Sequence, residues 1–153
     1  MQRSNSMVGV GLSFTSMAVL YSVMLVGVYI SSSHQGLTCP DWPLCPNGFG
    51  LPSETHFYEH YHRVLVLVTA GLIYATAVYS VRKALPGRKT AIIASIVMSV
   101  QIAIGFFVID TGLHPIIVAT HLSTGILLFA MTLMTFLSLY WHSRKKSQQS
   151  TTL

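Results

Sequence analysis

The sequence predicts an all-α membrane protein, an up-down bundle of four transmembrane helices with one long outer loop between helices 1 and 2. Three observations carry this. Apolar runs at residues 7–30, 64–81, 91–109 and 116–141 each come near or above the ~20 residues that cross a ~30 Å hydrocarbon core. Charged residues make up 8% of the chain against 52% apolar, with a mean hydropathy of +0.59, which soluble domains of this size rarely show. The links between the second, third and fourth runs are short, and short links make consecutive helices antiparallel neighbours.

The first run exceeds the ~7–15 residues of a secretory apolar region and lacks a clear small-residue cleavage site, so it reads as a retained helix. The segment at about 31–58 is rich in Ser, Gly and Pro, with Gly48-Phe49-Gly50-Leu51-Pro52, and reads as an ordered irregular loop. Ser53 is a candidate cap for helix 2, with Glu54 in its first turn. Pro86-Gly87 marks the turn between helices 2 and 3, and Thr111-Gly112-Leu113-His114-Pro115 that between helices 3 and 4. Residues 1–146 then form one four-helix domain, and 147–153 a polar tail expected to fray. Gly9, Gly11, Gly71 and Ala75 are small enough for close helix contact.

Charge sets the expected orientation. Arg3, Arg82, Lys83, Arg88, Lys89, Arg144, Lys145 and Lys146 fall on one side of the membrane, leaving only Arg63 of the nine basic residues opposite. The positive-inside rule makes both termini cytoplasmic, in a multi-pass protein of the cell membrane. The net charge of +5 is thus a topology signal and gives no reason to expect a nucleic-acid partner. The acids Asp41, Glu54, Glu59 and Asp110 and six of the seven histidines collect in or near the outer half.

Ionisable groups inside a bilayer are costly and by default functional. With the cap at Ser53, His62 lies about three turns into helix 2, which begins above the membrane. His121 lies ~9 Å below the start of helix 4, where Pro115 suits the first turn. Both helices descend from the outer side, so the imidazoles share a level, the arrangement that grips a haem iron from both faces in a membrane bundle. Thr124 and Gly125 leave the His121 face small, and Glu59 shares the His62 face at i−3. His60 points about 200° away from His62 around the helix; like His56 and His142 it reads as an interfacial anchor or loop packing. Gln101 in helix 3 can bond a porphyrin edge or another helix. Glu59 and Arg63 form an i, i+4 pair, which an exposed helix start could also explain.

Cys39 and Cys45 lie on the outer, oxidising face, in a small ring with Pro40 and Pro43, and suit a disulfide. Both a structural staple and redox work fit such a bridge.

Taken in order, Gly36-Leu37-Thr38-Cys39-Pro40-Asp41-Trp42-Pro43-Leu44-Cys45, Glu59-His60-Tyr61-His62-Arg63, Gln101-Ile102-Ala103-Ile104-Gly105 and His121-Leu122 resemble the haem A synthase family. The resemblance spans about residues 36–125, and the cysteine loop with E-x-x-H-R is its specific part. It implies an oxidoreductase that converts a methyl group of haem O to the formyl of haem A with oxygen from water, using haem b as cofactor, for terminal oxidases. It implies His62 and His121 as axial haem ligands, Glu59 as the catalytic acid residue and Cys39 with Cys45 as the redox-active or stabilising pair. Arg63 could neutralise a propionate. Haem O synthase and terminal oxidase assembly are the partners it suggests.

Familiar members carry two tandem four-helix halves, each with a histidine pair. This chain supplies one half, and a homodimer is expected. Two other classes compete. A quinone-coupled thiol-disulfide exchange protein would need a second cysteine pair or a C-x-x-C. A non-enzymatic b-type cytochrome would use His62 and His121 but leave Glu59 and the cysteine loop idle.

Overall fold

A computed structural model describes residues 2–39, 41–43, 45, 48, 50 and 54–149. The helices are α1 (Gln2–Ser32), α2 (Phe57–Arg82), α3 (Arg88–Asp110) and α4 (Pro115–Gln149), and a 3₁₀ turn at Glu54–His56 leads into α2. All four are long and apolar enough to cross a membrane, and the protein is an all-α, multi-pass membrane protein. Helix α1 packs on α2 and α4, and α3 on α4 and α2, so α2 and α4 stand diagonally across the bundle. The expected cap at Ser53 lies outside the described residues. Helix α4 continues through Ser147 to Gln149, with Lys146 placed favourably against the helix dipole.

The helices outrun the apolar stretches because backbone hydrogen bonding does not stop where hydropathy does. What stops the first three is a common C-terminal device. The amides of Gln35, Leu85 and Leu113 bond back to the carbonyls of Ile30, Ser80 and Val108, which satisfies carbonyls the helix leaves orphaned. The residue before each adopts a left-handed conformation: His34 (φ 59°), Ala84 (φ 46°) and Gly112 (φ 61°). Only the last is the glycine that this position favours. Leu85 is the buried apolar contact at the α2 end.

The core crosses all four helices through Leu20, Ala70, Ile73, Ala94, Met98 and Leu128. Towards the end that carries the Pro86-Gly87 turn, small hydroxyl residues take over. Ser13, Ser16, Thr76, Thr132 and Thr135 are buried, Ser16 and Thr76 share a 3.1 Å hydrogen bond, and Thr135 donates to Thr90 at 2.9 Å. Most of these hydroxyls also bond the carbonyl three or four residues back, so they are satisfied while the helices approach closely. Gly9 belongs to this packing: a Cβ there would meet Leu85 at 3.0 Å. It faces into the bundle and is not available to another subunit, whereas Gly11, Gly71 and Ala75 lie on the outside.

Relieving a left-handed alanine should outweigh the added chain entropy. Ala84→Gly is expected to stabilise the protein by ~0.5–1 kcal/mol and Gly112→Ala to destabilise it by a similar amount. Thermal unfolding in detergent checks this as midpoint shifts of opposite sign.

Candidate functional site

At the other end the helices part around a cavity of about 450 Å³, lined by His62, His121, Glu59, Arg63 and Gln101 among mainly apolar side chains. Because α2 and α4 are diagonal, the two imidazoles enter it from opposite sides. Each is admitted by a glycine on a neighbouring helix. A Cβ on Gly27 of α1 would lie 3.0 Å from Cε1 of His62, and one on Gly105 of α3 would lie 3.3 Å from Cε1 of His121.

Gln101 bonds the neighbouring helix. Its Nε2 donates to the His121 carbonyl at 3.0 Å and sits 3.3 Å from the His121 Nε2, while Gly125 leaves it room, a Cβ there falling 3.3 Å from the amide nitrogen. Three buried atoms around the cavity have no protein partner: Nδ1 of His62, Nδ1 of His121 and Oε1 of Gln101. Buried polar atoms are ordinarily satisfied, so such orphans call for an explanation.

The cavity roof is the disulfide loop. Cys39 and Cys45 are bonded with Cα atoms 5.0 Å apart, and both are buried. Trp42 and Pro43 line the cavity, and Trp42 meets Phe106 of α3 edge-on at 5.3 Å. The loop is fastened to α2 by the Glu59–Arg63 pair. Oε2 of Glu59 accepts from the Thr38 hydroxyl at 2.8 Å and the Cys39 amide at 2.9 Å, and Oε1 accepts from Arg63 at 2.6 Å. Arg63 donates onward to the carbonyls of Cys39, at 3.0 Å, and Asp41. The side chains are only 4% and 11% exposed, so this is a largely buried, multiply bonded pair and not a solvated helix start.

The structure therefore brings His62, His121, Glu59, Arg63 and Gln101 to one cavity beneath the Cys39–Cys45 loop. His60 is buried but does not line it. Sequence reasoning missed Gly27, Thr38 and Trp42. Gly27 was legible only as an isolated glycine in an apolar helix, and the Thr38 and Trp42 contacts join segments far apart in the chain.

The family model described as cytochrome oxidase assembly protein matches residues 51–153. The chain belongs to the haem A synthase family. It is 29% identical over 136 residues to a protein of Lysinibacillus sphaericus named heme A synthase, covering 83% of this chain and 44% of that protein. It is 25% identical over 134 residues to one of Shewanella oneidensis with the same name, covering 75% of this chain and 41% of that protein. A Haloarcula marismortui protein named protoheme IX farnesyltransferase is 28% identical over 134 residues, covering 86% of this chain and 28% of that protein. The chain spans less than half the length of these curated relatives.

The loop fastening has a measurable consequence. Arg63→Met leaves a buried carboxylate with only the Thr38 and Cys39 donors, and should cost ~3 kcal/mol. Thr38→Val removes one hydrogen bond and should cost ~1 kcal/mol. Both variants should speed reduction of Cys39–Cys45 by a mild thiol, Arg63→Met more, as followed by a thiol-reactive dye.

Proposed function

We propose that this protein is a haem-dependent oxidoreductase that converts the methyl group of haem O to the formyl group of haem A, with haem b as its resident cofactor. The observation that carries the proposal is the diagonal pair, two imidazoles from α2 and α4 entering one cavity from opposite sides. The residues fit a haem. Each ring has a nitrogen without a protein partner, the glycines keep the histidine faces low, and the remaining lining is largely apolar. A bound haem supplies one-electron redox chemistry; His62 and His121 would hold its iron.

The other residues have definable roles. Gln101 fixes the backbone and ring of His121, which preorganises that side. Arg63 lies at the polar margin, where a guanidinium can meet a propionate. Glu59 lines the cavity with three hydrogen bonds already on its oxygens. A carboxylate has about four acceptor directions, which leaves one for a water or for positive charge developing at the oxidised methyl group. Trp42 and Pro43 of the disulfide loop line the cavity at the same end.

A reaction with both a resident and a substrate haem needs two histidine pairs. One copy of this cavity supplies one, and a homodimer would supply both. The haem substrate would come from a protohaem-farnesylating enzyme, a reading favoured by similarity to a protein bearing that name, and the product would go to terminal oxidase assembly. The charge pattern supports an orientation with the Cys39–Cys45 loop outside and the 83–87 turn inside. A non-enzymatic b-type cytochrome is the competing reading, since the bonds of Glu59 all serve the loop.

Co-expression with a haem O synthase, followed by chromatography of extracted haems, should yield haem A or a hydroxylated intermediate. His62→Ala and His121→Ala should each lower haem content and alter the low-spin spectrum; unchanged content in both would exclude the ligand pair. Glu59→Gln should keep much of the haem and lose most haem A formation, and normal output would leave only its structural role. An impermeant reagent on intact cells should label Ser33→Cys and not Ser147→Cys; the reverse pattern overturns the orientation.

A further inference from the structure

Helices α1 and α4 meet along a ladder with seven-residue steps. Phe14 faces Phe136 with ring centroids 5.7 Å apart, and one step on, Tyr21 faces Phe129 at 6.2 Å. The same antiparallel register brings Val28 opposite Leu122 at the next step, level with the cavity. There the aromatic pair is missing. Val28 and Leu122 both line the cavity, yet their exposures are 55% and 41%, and Ile126, also in the lining, is 62% exposed.

No other seam combines these properties on both of its helices. His62 over Gly27 fills the α1/α2 seam, and His121 over Gly105 with Gln101 over Gly125 fills α3/α4. At α2/α3, Leu67 is an exposed lining residue on α2, but the described lining residues of α3 are all at least half-buried. The cavity thus reaches the bundle exterior sideways at α1/α4, in the outer half, one seven-residue step beyond the Tyr21–Phe129 pair. The edge of this opening is aliphatic, at a depth where the surroundings are hydrocarbon.

We infer that the opening bounded by Val28, Leu122 and Ile126 is the subsite for the isoprenoid chain of the haem substrate, which passes through it from the cavity into the lipid. This rests on the haem reading proposed above. A cavity of about 450 Å³ sits in the lower part of the ~300–1,000 Å³ range of sites that bury a drug-sized ligand. A macrocycle takes most of that space, and a long flexible chain attached to it needs a way out. An aliphatic exit suits such a chain, whereas a third aromatic pair would reject it by steric exclusion. A haem lacking the chain does not need the opening.

The test restores the missing step. The full chain in detergent is titrated with haem O and with protohaem, and bound haem is read from the visible spectrum, for wild type, for Val28→Tyr combined with Leu122→Phe, and for Ile126→Trp. Leu127→Trp, on an exposed residue outside the lining, is the control. Both closing variants are expected to take up protohaem as wild type does, which also reports an intact fold, and to bind haem O at least about tenfold more weakly, a steric penalty of the size that separates a fitting from a non-fitting group. Equal loss of both haems, or no loss of either, overturns the inference. So does loss of the dimer on light scattering with haem discrimination intact, because the opening would then belong to a second copy. Uptake of neither haem by wild type would instead remove the haem reading on which the subsite depends.

Discussion

The buried pair of Glu59 and Arg63 is the interaction on which the working end of this protein depends. Two charges taken out of water are costly unless every lone pair and proton finds a partner. Beyond the bond between the two, the partners among the described residues come from the disulfide loop. Glu59 receives the Thr38 hydroxyl and the Cys39 amide, and Arg63 reaches the carbonyls of Cys39 and Asp41. The pair thereby fastens the described part of the crossing between α1 and α2 over the cavity as a roof. The Cys39–Cys45 bond restrains the loop conformation that presents these groups. Roof, pair and disulfide form one unit, so a change in any of them reaches the cavity lining through Trp42, Pro43 and Glu59.

Below the roof the bundle divides into two regimes of packing. In the half nearer the Pro86-Gly87 turn, Ser and Thr hydroxyls bonded to their own helices let the backbones close together, as small residues do in membranes. In the other half the same helices are held apart by groups too large for such contact, namely two imidazoles and one carboxamide. Each is matched by a glycine on the opposing helix: Gly27, Gly105 and Gly125. The glycines remove bulk only where a polar ring or amide must cross the seam. The apolar layer of Leu20, Ala70, Ile73, Ala94, Met98 and Leu128 separates the regimes, and its Leu20, Met98 and Leu128 line the cavity.

Much of this was legible in the sequence, for specific reasons. Long apolar runs are a strong signal, and the order and number of the helices followed from them. His62 and His121 stood out because an ionisable group in an apolar run is rare, and their common cavity follows from depth counted along two descending helices. The helix ends were less legible. Glu54 read as part of the first turn of helix 2, whereas α2 begins at Phe57 after a 3₁₀ turn at Glu54–His56, and residues 147–149, read as tail, continue α4. The role of Glu59 was half legible: its i, i+4 partner was visible, but Thr38 and Cys39 lie about 20 positions away, and such contacts leave no local trace. Gly27 carried no periodic signal at all, since its function lies in what His62 on another helix needs.

The single-cavity architecture places an unusual demand on one sequence. In a homodimer of identical chains, the cavity that retains a cofactor haem and the cavity that exchanges a substrate haem have the same histidines, the same glycines and the same roof. What can distinguish them is the ligand, because the two haems differ at their edges and not at their iron. An opening at Val28 and Leu122 would tolerate a chain without requiring one, so the same cavity could hold either haem under the proposal above. Discrimination would then fall to the roof, where Glu59 meets whichever edge is presented beneath it. On this view the buried ion pair both closes the cavity and sets which edge of the macrocycle is addressed, and the lateral opening fixes the orientation by giving the chain one direction in which to leave.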